Sequence, residues 1–418
     1  MHLRYLEIKG GKKLDGDIRV QGSKNAVLPI LTSCILGGGV CRIGNCPRIS
    51  DVEVTLGILK AVGCKVIQEK HTVCVDATDV SVCEIPASEA SRTRSSVLFL
   101  GALIGRCRKA VLPVPGGCAI GARPVDLHRK ALEKLGVTFS GQESMTADGS
   151  GLSGAVIHLS FPSVGATENS ILAAVLAPGT TVIEQAAQEP EIDELIHFLN
   201  LRGARIRRKK DGSIWIEGVK ELYPVKYTMQ ADRIVVGTYL LGAVSAGGRV
   251  RVLNYPKHGL ELPMELFREM GAVVRMEEES CELKCSGRPK ALSYLETAPY
   301  PGFPTDLQSL FTAVLACADG RSRIRETIFE NRFQMVQELK RMGAQIEVYG
   351  NTAWIQGIPR LQGAEVSATD LRSGAGLVLA GLGASDVTRV RNVEYIERGY
   401  EDICRDFGRL GADIQMCQ

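Results

Sequence analysis

A sequence pattern that is typical of a helix end recurs six times along the chain. In each copy, a segment of mixed apolar and charged residues is followed by a glycine and then directly by a strand-like segment. Glycine just past a helix is the usual left-handed terminator. Consecutive copies lie 73, 67, 68, 72 and 68 residues apart, counted between Gly63, Gly136, Gly203, Gly271, Gly343 and Gly411. A period near seventy residues, kept over six copies, predicts a repeat architecture.

Each repeat is predicted to contain two kinds of helix. The helix before the terminal glycine is amphipathic, and in the third copy its apolar positions follow the spacing i, i+3, i+4, i+7 at Ile192, Leu195, Ile196 and Leu199. The other helix is apolar nearly all round, which is typical of the protein interior. The six interior segments are 26–36, 97–104, 170–176, 234–244, 307–316 and 377–382.

One interior helix, one amphipathic helix and several strands, repeated three times in each half, predict an α/β protein of two domains with helices packed inside sheets. The halves divide near Gln230. The length of 418 residues suits two large domains, and 45% hydrophobic with 23% charged residues is typical of a soluble globular protein. Disorder and fibrous structure are therefore excluded.

The charge balance narrows the class of ligand. Lys plus Arg number 50 and Asp plus Glu number 47, so the net charge of +3 lacks the basic excess of an electrostatic nucleic-acid binder.

The longest stretches without charged residues, 149–167 and 25–41, are too polar or too short to span a bilayer. No apolar signal segment is visible at the N-terminus, and we expect a cytoplasmic location.

Thirteen cysteines are present, an odd number with no C-x-x-C pair. Cys281 and Cys285 have three residues between them in a strand-like segment, which argues against a zinc site or a disulfide framework. We expect twelve of the thirteen to be reduced, structural thiols.

A charged residue stands at the predicted opening of each interior helix. Asp, Glu, Ser and Thr suit the positive end of a helix, so Glu168, Asp232 and Asp370 are either ordinary caps or functional groups. A cation there is disfavoured unless an anion such as phosphate binds, so Lys24 and Arg94 are interpreted as anion ligands, the alternative being solvated surface charges. The six openings are Ser23-Lys24-Asn25, Thr93-Arg94-Ser95, Thr167-Glu168-Asn169, Ala231-Asp232-Arg233, Thr305-Asp306-Leu307 and Thr369-Asp370-Leu371-Arg372.

A loop rich in Pro and Gly interrupts the second repeat at residues 113–128. It carries Cys118, then Arg123, and a predicted helix starts at Pro124. Such a loop does not easily bury a core thiol, so Cys118 is either a reactive or a structural cysteine. His128 is a weaker candidate, the alternative being a histidine on a helix surface. The loop lacks the phasing of dinucleotide and Walker motifs.

These residues resemble the enolpyruvyl transferases over essentially the whole chain, and within them the branch that uses UDP-N-acetylglucosamine as acceptor. Eight segments in the same order carry the resemblance: Gly22-Ser-Lys24-Asn25-Ala, Pro115-Gly-Gly-Cys118 with Gly121-Ala-Arg123-Pro-Val-Asp126-Leu-His128, Ser163-Val-Gly-Ala-Thr-Glu168-Asn, Glu189-Pro-Glu-Ile, Phe303-Pro-Thr-Asp306, Phe329-Glu-Asn-Arg332-Phe, Thr369-Asp-Leu-Arg372 and Arg398-Gly-Tyr-Glu.

The resemblance implies a fold of two domains, each a threefold βαβαββ-type repeat with buried helices surrounded by sheets, an inside-out α/β barrel. It implies a first domain at 24–231 and a second domain formed by 1–23 and 232–418. The active site would lie in the interdomain cleft, which would close on the substrates.

The implied reaction transfers the enolpyruvyl group of phosphoenolpyruvate to the 3′-hydroxyl of UDP-N-acetylglucosamine by addition and elimination, releasing phosphate. This would be the first committed step of peptidoglycan biosynthesis, and so of cell-wall formation, cell shape and division. The partners implied are these two small molecules, without nucleic acid or membrane, and neither a metal nor an organic cofactor is needed.

The resemblance also assigns roles to residues. Cys118 would be the general acid, able to form an adduct with phosphoenolpyruvate and to react with epoxides of the fosfomycin type, and Asp306 would be the base for the sugar hydroxyl. Lys24, Arg123 and Arg398 would hold phosphoenolpyruvate, while Asn25 would hold the sugar or the intermediate. Contacts to the UDP-sugar are implied for Arg94, Arg123, Pro124, Val125, Asp126, Leu127, Ser163, Val164, Gly165, Asp306 and Ile328, with Arg372 and Asp370 nearby.

Two departures from the family pattern accompany this hypothesis. Val235 stands where the family often has a carboxylate, and Ile328 stands where it often has valine. Four competing hypotheses also remain. The sister enzyme that uses shikimate 3-phosphate is one, but it lacks the thiol loop and the Arg-Pro-Val-Asp-Leu run. A transferase for a different uridine nucleotide, a non-catalytic sugar-nucleotide-binding paralogue and a structural six-repeat clamp are the other three.

Overall fold

The computed structural model describes residues 4–113, 125–141 and 144–418, and these form two compact units. The first unit contains the described residues between 22 and 230, and the second contains 4–21 and 231–418. Both units are mixtures of helices and sheets, which confirms the predicted α/β class. Within the described ranges, every helix is too short or too polar to cross a lipid bilayer.

The strands, in chain order, are β1 (Tyr5–Lys9), β2 (Leu14–Ile18), β3 (Val40–Gly44), β4 (Lys65–Glu69), β5 (Thr72–Asp76), β6 (Lys109–Pro113), β7 (Thr138–Ser140), β8 (Ser144–Asp148), β9 (Val156–His158), β10 (Thr180–Glu184), β11 (Arg205–Arg208), β12 (Ile214–Glu217), β13 (Lys226–Thr228), β14 (Gly248–Val252), β15 (Val273–Met276), β16 (Cys281–Cys285), β17 (Leu295–Glu296), β18 (Arg321–Arg325), β19 (Gln345–Tyr349), β20 (Thr352–Gln356), β21 (Glu365–Ser367), β22 (Val387–Arg391) and β23 (Asp413–Cys417).

The α-helices are α1 (Lys24–Ser33), α2 (Ser50–Ala61), α3 (Ala87–Ala90), α4 (Leu98–Cys107), α5 (Asp126–Lys134), α6 (Val164–Ala174), α7 (Pro190–Leu201), α8 (Arg233–Ala246), α9 (Glu261–Glu269), α10 (Thr305–Leu315), α11 (Val336–Arg341), α12 (Leu371–Gly383) and α13 (Ile403–Arg409). Short 3-10 helices span Cys34–Leu36, Arg94–Val97 and Val393–Arg398.

The third repeat shows the βαβαββ unit in its simplest form. Strand β9 leads through the buried helix α6 to β10, which lies parallel to β9, and the amphipathic helix α7 then leads to the antiparallel pair β11 and β12. The first unit has sheets of order β13-β3-β5-β4, β6-β8-β7 and β11-β12-β10-β9, and the second has β15-β16-β14-β2, β17-β18-β20-β19 and β21-β22-β1-β23.

The N-terminal segment supplies two strands to the second unit. Strand β1 lies antiparallel between β22 and β23, and β2 runs parallel to β14. Strand β13, which precedes the first helix of the second unit along the chain, instead runs parallel to β3 in the first unit. The second unit is therefore completed by strands from the start of the chain, whereas in the first unit the last strand pairs with the first.

The six predicted helix terminators are confirmed. The glycine after each amphipathic helix has a φ between 87° and 106°, a backbone region that L-residues with a side chain rarely occupy. The apolar stripe predicted for the third copy is also confirmed, because Ile192, Leu195, Ile196 and Leu199 are all buried.

Buried helices pack closely against one another within each unit. In the first unit, Gly101 of α4 lies against Asn169 of α6, and one turn later Gly105 lies against Leu172, so these two helices run in the same direction. In the second unit Gly376 of α12 lies against Ser309 of α10. Because a side chain at these glycines would meet the neighbouring backbone within 3.0 Å, the helices can approach only where glycine stands.

One helix boundary was predicted wrongly. The third interior helix was expected to open at Thr167-Glu168-Asn169, but α6 begins at Val164 and these residues lie inside it. The Ser163 hydroxyl caps the helix by accepting from the Ala166 N–H at 3.3 Å. Ser163 and Thr167 are both able to cap a helix and lie about one turn apart. Ser163 caps α6, whereas the Thr167 hydroxyl accepts from the Ala187 N–H at 3.0 Å.

The described cysteines are all free thiols, six of them buried and six half-buried. Burial raises the pKa of Cys64 and that of Cys281 to about 12, so both thiols stay protonated and unreactive at neutral pH. The expectation of structural thiols is confirmed for these two residues. Cys118 lies outside the described residues.

Candidate active site

The candidate site of the second unit is centred on Asp306, the second residue of α10. Its carboxylate lies between two arginines: Arg332 Nη2 is 3.0 Å from Oδ1, and Arg372 Nη2 is 2.8 Å from Oδ2. Both guanidinium groups are almost fully buried, at 2% and 3% exposure, while Asp306 is half-buried. Charge-assisted hydrogen bonds of this kind fix the orientation of both partners.

Arg372 itself stands at the start of α12. Burial disfavours its charge, but the carboxylate of Asp306, together with Tyr400 and Asp232, outweighs that effect and raises the pKa of Arg372 above its ordinary value. Its Nη1 is buried and has no hydrogen-bond partner among the described residues. A buried donor without an acceptor is costly.

Glu326 connects the loop that carries Ile328 to the start of α10. Its carboxylate accepts from the backbone N–H groups of Ile328 and Phe329 at 2.8 and 3.1 Å, and from the Thr305 hydroxyl at 3.0 Å. Ile328 is thereby held near the residue that precedes Asp306. The two predicted site residues are brought to one end of the unit.

Two of the charged residues at helix openings are confirmed as caps. Asp232 accepts from the backbone N–H groups of Ile234 and Val235 at 2.8 and 3.1 Å. Asp370 forms a capping box with Ser373 and lies 3.6 Å from Arg332 Nη1. Capping therefore accounts for both carboxylates, and Asp370 also belongs to the charge cluster around Asp306.

Arg398 and Val235 are the remaining positions of the second unit that the sequence singled out. Arg398 is the half-buried last residue of the 3-10 helix Val393–Arg398, two residues before Tyr400. Tyr400 is buried, and its hydroxyl lies 2.7 Å from the Thr238 hydroxyl of α8. Val235 is fully buried in α8, so the position where the family often has a carboxylate is part of the core here.

In the first unit, Lys24 is the first residue of α1 and is buried. Its ammonium group lies 2.9 Å from the Asp51 carboxylate, which is also buried. The alternative of a solvated surface charge is therefore wrong for Lys24. Asn25 follows as a half-buried residue in the same first turn.

Arg94 opens the 3-10 helix Arg94–Val97 that leads into α4, and Thr93 caps it. Its side chain is half-buried, and burial lowers the pKa of Arg94. Arg94 is therefore a partly desolvated cation and not a fully solvated one.

The segments predicted to contact the sugar nucleotide meet at the start of α6. Ser163 caps this helix and Gly165 lies in its first turn, against the ring of His128 from α5. The His128 Nδ1 is 2.7 Å from the Asn169 Nδ2, so the histidine is not a solvated surface group. The neighbouring predicted residues are Val125, Asp126 and Leu127 at the start of α5, and Val164 in the first turn of α6.

Glu168 is not a helix cap, contrary to one of its two interpretations. It is buried in the second turn of α6. Burial, followed by the charges of Glu191 and Glu189, raises the pKa of Glu168 well above its ordinary value. Burial and the two neighbouring carboxyl groups therefore favour the protonated form of Glu168 relative to a solvated glutamate.

Three predicted site residues, Cys118, Arg123 and Pro124, lie outside the described residues. Four residues with a direct part in the geometry were not assigned roles from the sequence. Arg332 and Asn169 stood in segments that carried the resemblance, which was the signal that could have found them. Asp51 and Glu326 gave no signal, because each acts on a residue distant along the chain.

The positions of the two candidate sites, at the ends of buried helices, determine which chemical groups they can bind. Each unit contains the N-terminal ends of buried helices, whose free N–H groups and dipoles favour anions. Cations are added at these ends by Lys24, Arg94, Arg332 and Arg372. Such ends suit phosphate and carboxylate groups, and Asp306 supplies a carboxylate able to accept a proton.

Comparison with known proteins identifies the class. Residues 8–407 match the family described as EPSP synthase (3-phosphoshikimate 1-carboxyvinyltransferase). The chain also resembles the solved structure of the enolpyruvyl transferase NikO from Streptomyces tendae, with a TM-score of 0.90, 27% identity and 99% of each chain covered. An EPSP synthase structure from Acinetobacter baumannii, at 18% identity and a TM-score of 0.76, shows the shared fold.

Relatives of higher identity carry a more specific name. The chain is 48% identical, over 98% of both proteins, to UDP-N-acetylglucosamine 1-carboxyvinyltransferase 2 of Caldanaerobacter subterraneus subsp. tengcongensis. It is 44% identical, with the same coverage, to the protein of that name from Carboxydothermus hydrogenoformans. The chain belongs to the EPSP synthase family, which confirms the resemblance to enolpyruvyl transferases.

Proposed function

We infer that this chain transfers the enolpyruvyl group of phosphoenolpyruvate to the 3′-hydroxyl of UDP-N-acetylglucosamine and releases phosphate, the first committed step of peptidoglycan biosynthesis. One observation carries the inference: full-length relatives at 43–48% identity bear the name of this activity. The enzyme is a transferase. A cytoplasmic location is part of the proposal.

The reaction requires three proton transfers, two in the addition and one in the elimination. In the addition, the sugar 3′-oxygen bonds to C2 of phosphoenolpyruvate while the methylene carbon gains a proton and the hydroxyl loses one. In the elimination, the bond from C2 to the phosphate oxygen breaks, the methyl carbon loses a proton and phosphate leaves. A general base for the hydroxyl and a general acid for the methylene carbon are therefore needed.

Asp306 is the proposed base. An ionised carboxylate offers about four lone-pair sites, so hydrogen bonds to Arg332 and Arg372 leave acceptor capacity for the sugar hydroxyl. The two guanidinium groups hold the carboxylate in place. Preorganised donors of this kind stabilise the charge that develops during the reaction.

The remaining assignments concern substrate binding. Lys24, Arg123 and Arg398 are proposed to hold phosphoenolpyruvate, with Asn25 at the sugar or the intermediate. Arg94, the segment 123–127, the segment 163–165 and Ile328 are proposed to hold the UDP-sugar, with Arg372 adjacent. The domain boundaries 24–231, and 1–23 with 232–418, belong to the same proposal.

Phosphate release tests the activity directly. Purified protein is incubated with phosphoenolpyruvate and each of three acceptors: UDP-N-acetylglucosamine, shikimate 3-phosphate and another uridine nucleotide. We expect release with UDP-N-acetylglucosamine alone. Release only with a different acceptor would assign the chain to the sister enzyme or to another nucleotide, and no release with any acceptor would favour the non-catalytic paralogue.

Cys118 is the proposed general acid and the proposed target of epoxides. Its sulfur would attack an epoxide carbon, the C–O bond would open and the oxygen would take up a proton. We expect Cys118→Ser to abolish covalent labelling by fosfomycin, measured by mass spectrometry of the peptides. Cys107→Ser, which alters a half-buried thiol at the end of α4, is the control and should label normally.

Persistent labelling of the Cys118→Ser protein would show that another residue reacts with the epoxide. If fosfomycin labels the wild-type protein but Cys118→Ser loses the label and keeps the wild-type turnover, Cys118 is the epoxide target and not the catalytic acid.

A further inference from the structure

Asn169 connects three elements of the first unit through one side-chain amide. It is fully buried in α6. Its Oδ1 accepts from the Gly101 N–H of α4 at 2.7 Å, and its Nδ2 donates to the Val97 carbonyl at 3.0 Å. The same Nδ2 lies 2.7 Å from Nδ1 of His128 on α5.

The two backbone contacts fix the orientation of this amide. A backbone N–H can only donate and a carbonyl can only accept, so the oxygen of Asn169 must face Gly101 and its nitrogen must face Val97. The nitrogen is then a donor toward His128, and Nδ1 of the histidine must accept. An imidazole that accepts at Nδ1 is neutral and carries its proton on Nε2.

The ring of His128 lies beside the start of α6, so its protonation state determines which group faces that helix end. A Cβ placed on Gly165 would lie 2.8 Å from Cε1 and 3.2 Å from Nε2 of His128, so this ring edge lies over the first turn of α6. Glycine at this position makes the close approach possible. The end of the helix is the positive end of its dipole, where a neutral imidazole is favoured over a charged one.

We propose that Asn169 is a positioning residue that holds His128 as a neutral Nε2–H donor over the first turn of α6, for an oxygen of the diphosphate of the sugar nucleotide. The inference rests on the proposed function, because that function assigns the turn at 163–165 to the UDP-sugar. Without the Asn169 contact, the ring could rotate and exchange its proton between the two nitrogens. The amide therefore orders this donor before the substrate arrives, which reduces the entropy lost on binding.

The tautomer can be measured without substrate. Protein labelled with ¹⁵N in its six histidines is recorded by long-range ¹H–¹⁵N NMR, and His128→Gln identifies the signals of residue 128. We expect Nδ1 of His128 to show the shift of an unprotonated nitrogen and Nε2 that of a protonated one. A protonated Nδ1 in the wild-type protein would overturn the proposal.

Asn169→Asp provides the matched variant. A carboxylate can accept from Gly101 but cannot donate to His128, so the proton should move to Nδ1 or the ring should become charged. We expect the KM for UDP-N-acetylglucosamine to rise about tenfold, as for the loss of one hydrogen bond, while the KM for phosphoenolpyruvate changes less than about twofold. His128→Gln should raise the same KM.

Asn200→Asp is the control. Asn200 of α7 also accepts from a backbone N–H and donates to a carbonyl, both of Ile206 at 2.9 Å, but it has no histidine contact among its described hydrogen bonds. The NMR signals of His128 and both KM values should be unchanged in this variant. Equal effects of Asn169→Asp and Asn200→Asp would reduce the role of Asn169 to fold stability.

The outcomes separate the two proposals. The expected tautomer in a protein that releases no phosphate with UDP-N-acetylglucosamine would refute the proposed function and leave the Asn169–His128 arrangement intact. The expected tautomer with an unchanged KM for the sugar nucleotide in His128→Gln would refute the contact to the diphosphate. If Asn169→Asp does not fold, the wild-type spectrum and His128→Gln still decide the matter.

Discussion

Asp306→Asn is expected to lower kcat about a thousandfold, since general base catalysis typically contributes 10²–10⁴ in rate. Asparagine keeps the size of the side chain and can still accept from one guanidinium group, but it cannot take the proton of the sugar hydroxyl. The KM for UDP-N-acetylglucosamine should change far less than kcat, because the loss falls on the transition state. Steady-state phosphate release measures both parameters.

Asp413→Asn is the control for this variant. Asp413 lies in the same unit and pairs with Lys12 at 3.0 Å, but both side chains are exposed. Its activity should equal that of the wild type. A kcat within tenfold of wild type in a folded Asp306→Asn protein would exclude Asp306 as the base and would leave it as a partner for the two arginines.

Arg332→Met is expected to cost about 3 kcal/mol of folding stability or more, because it leaves the buried carboxylate of Asp370 without this cation and Asp306 with Arg372 alone. Arg332 is 2% exposed and contacts the carboxylate of Asp306 as well as the Thr305 carbonyl, at 3.0 and 3.2 Å. Methionine replaces the volume of the side chain but none of the hydrogen bonds. Urea unfolding followed by circular dichroism measures the free energy of unfolding.

Arg325→Met tests whether burial is the cause. Arg325 belongs to the same unit and pairs with Glu296 at 3.6 Å, but it is half exposed, and such pairs contribute about 0–1 kcal/mol. A loss of stability in Arg332→Met no larger than in Arg325→Met would show that the buried cluster does not support the fold. The double variant with Asp306→Asn should lose less than the sum of the single variants, because the two residues act on each other.

The elements of the fold were predictable wherever the signal was local. The left-handed conformation of Gly136 or Gly411 follows from the residue itself, and the stripe from Ile192 to Leu199 follows from the helical period. The start of α6 was placed a turn too late because Ser163 and Thr167 can both cap a helix. The choice between them was made by the Ala187 N–H, which is distant from both along the chain.

The candidate site was predictable only in part. Lys24 and Arg94 were predicted as site residues from their equivalent positions in the repeats. Asp306 and Arg372 were predicted from the resemblance to the family. No feature of the sequence indicated that Lys24 pairs with Asp51. These partners are remote along the chain, and no local pattern encodes the contact between them.

The sequence by itself determined the six repeats, the two kinds of helix, the glycines that end them and the family to which the chain belongs. Each of these depends on spacing within one segment or on residue type, which the chain carries before it folds. Tertiary structure alone decided that Asp306 lies between Arg332 and Arg372, that Glu326 holds the loop of Ile328 and that Asn169 contacts the ring of His128. Hydrogen bonds and ion pairs act over about 3 Å, so they exist only where the packing of buried helices brings distant residues together.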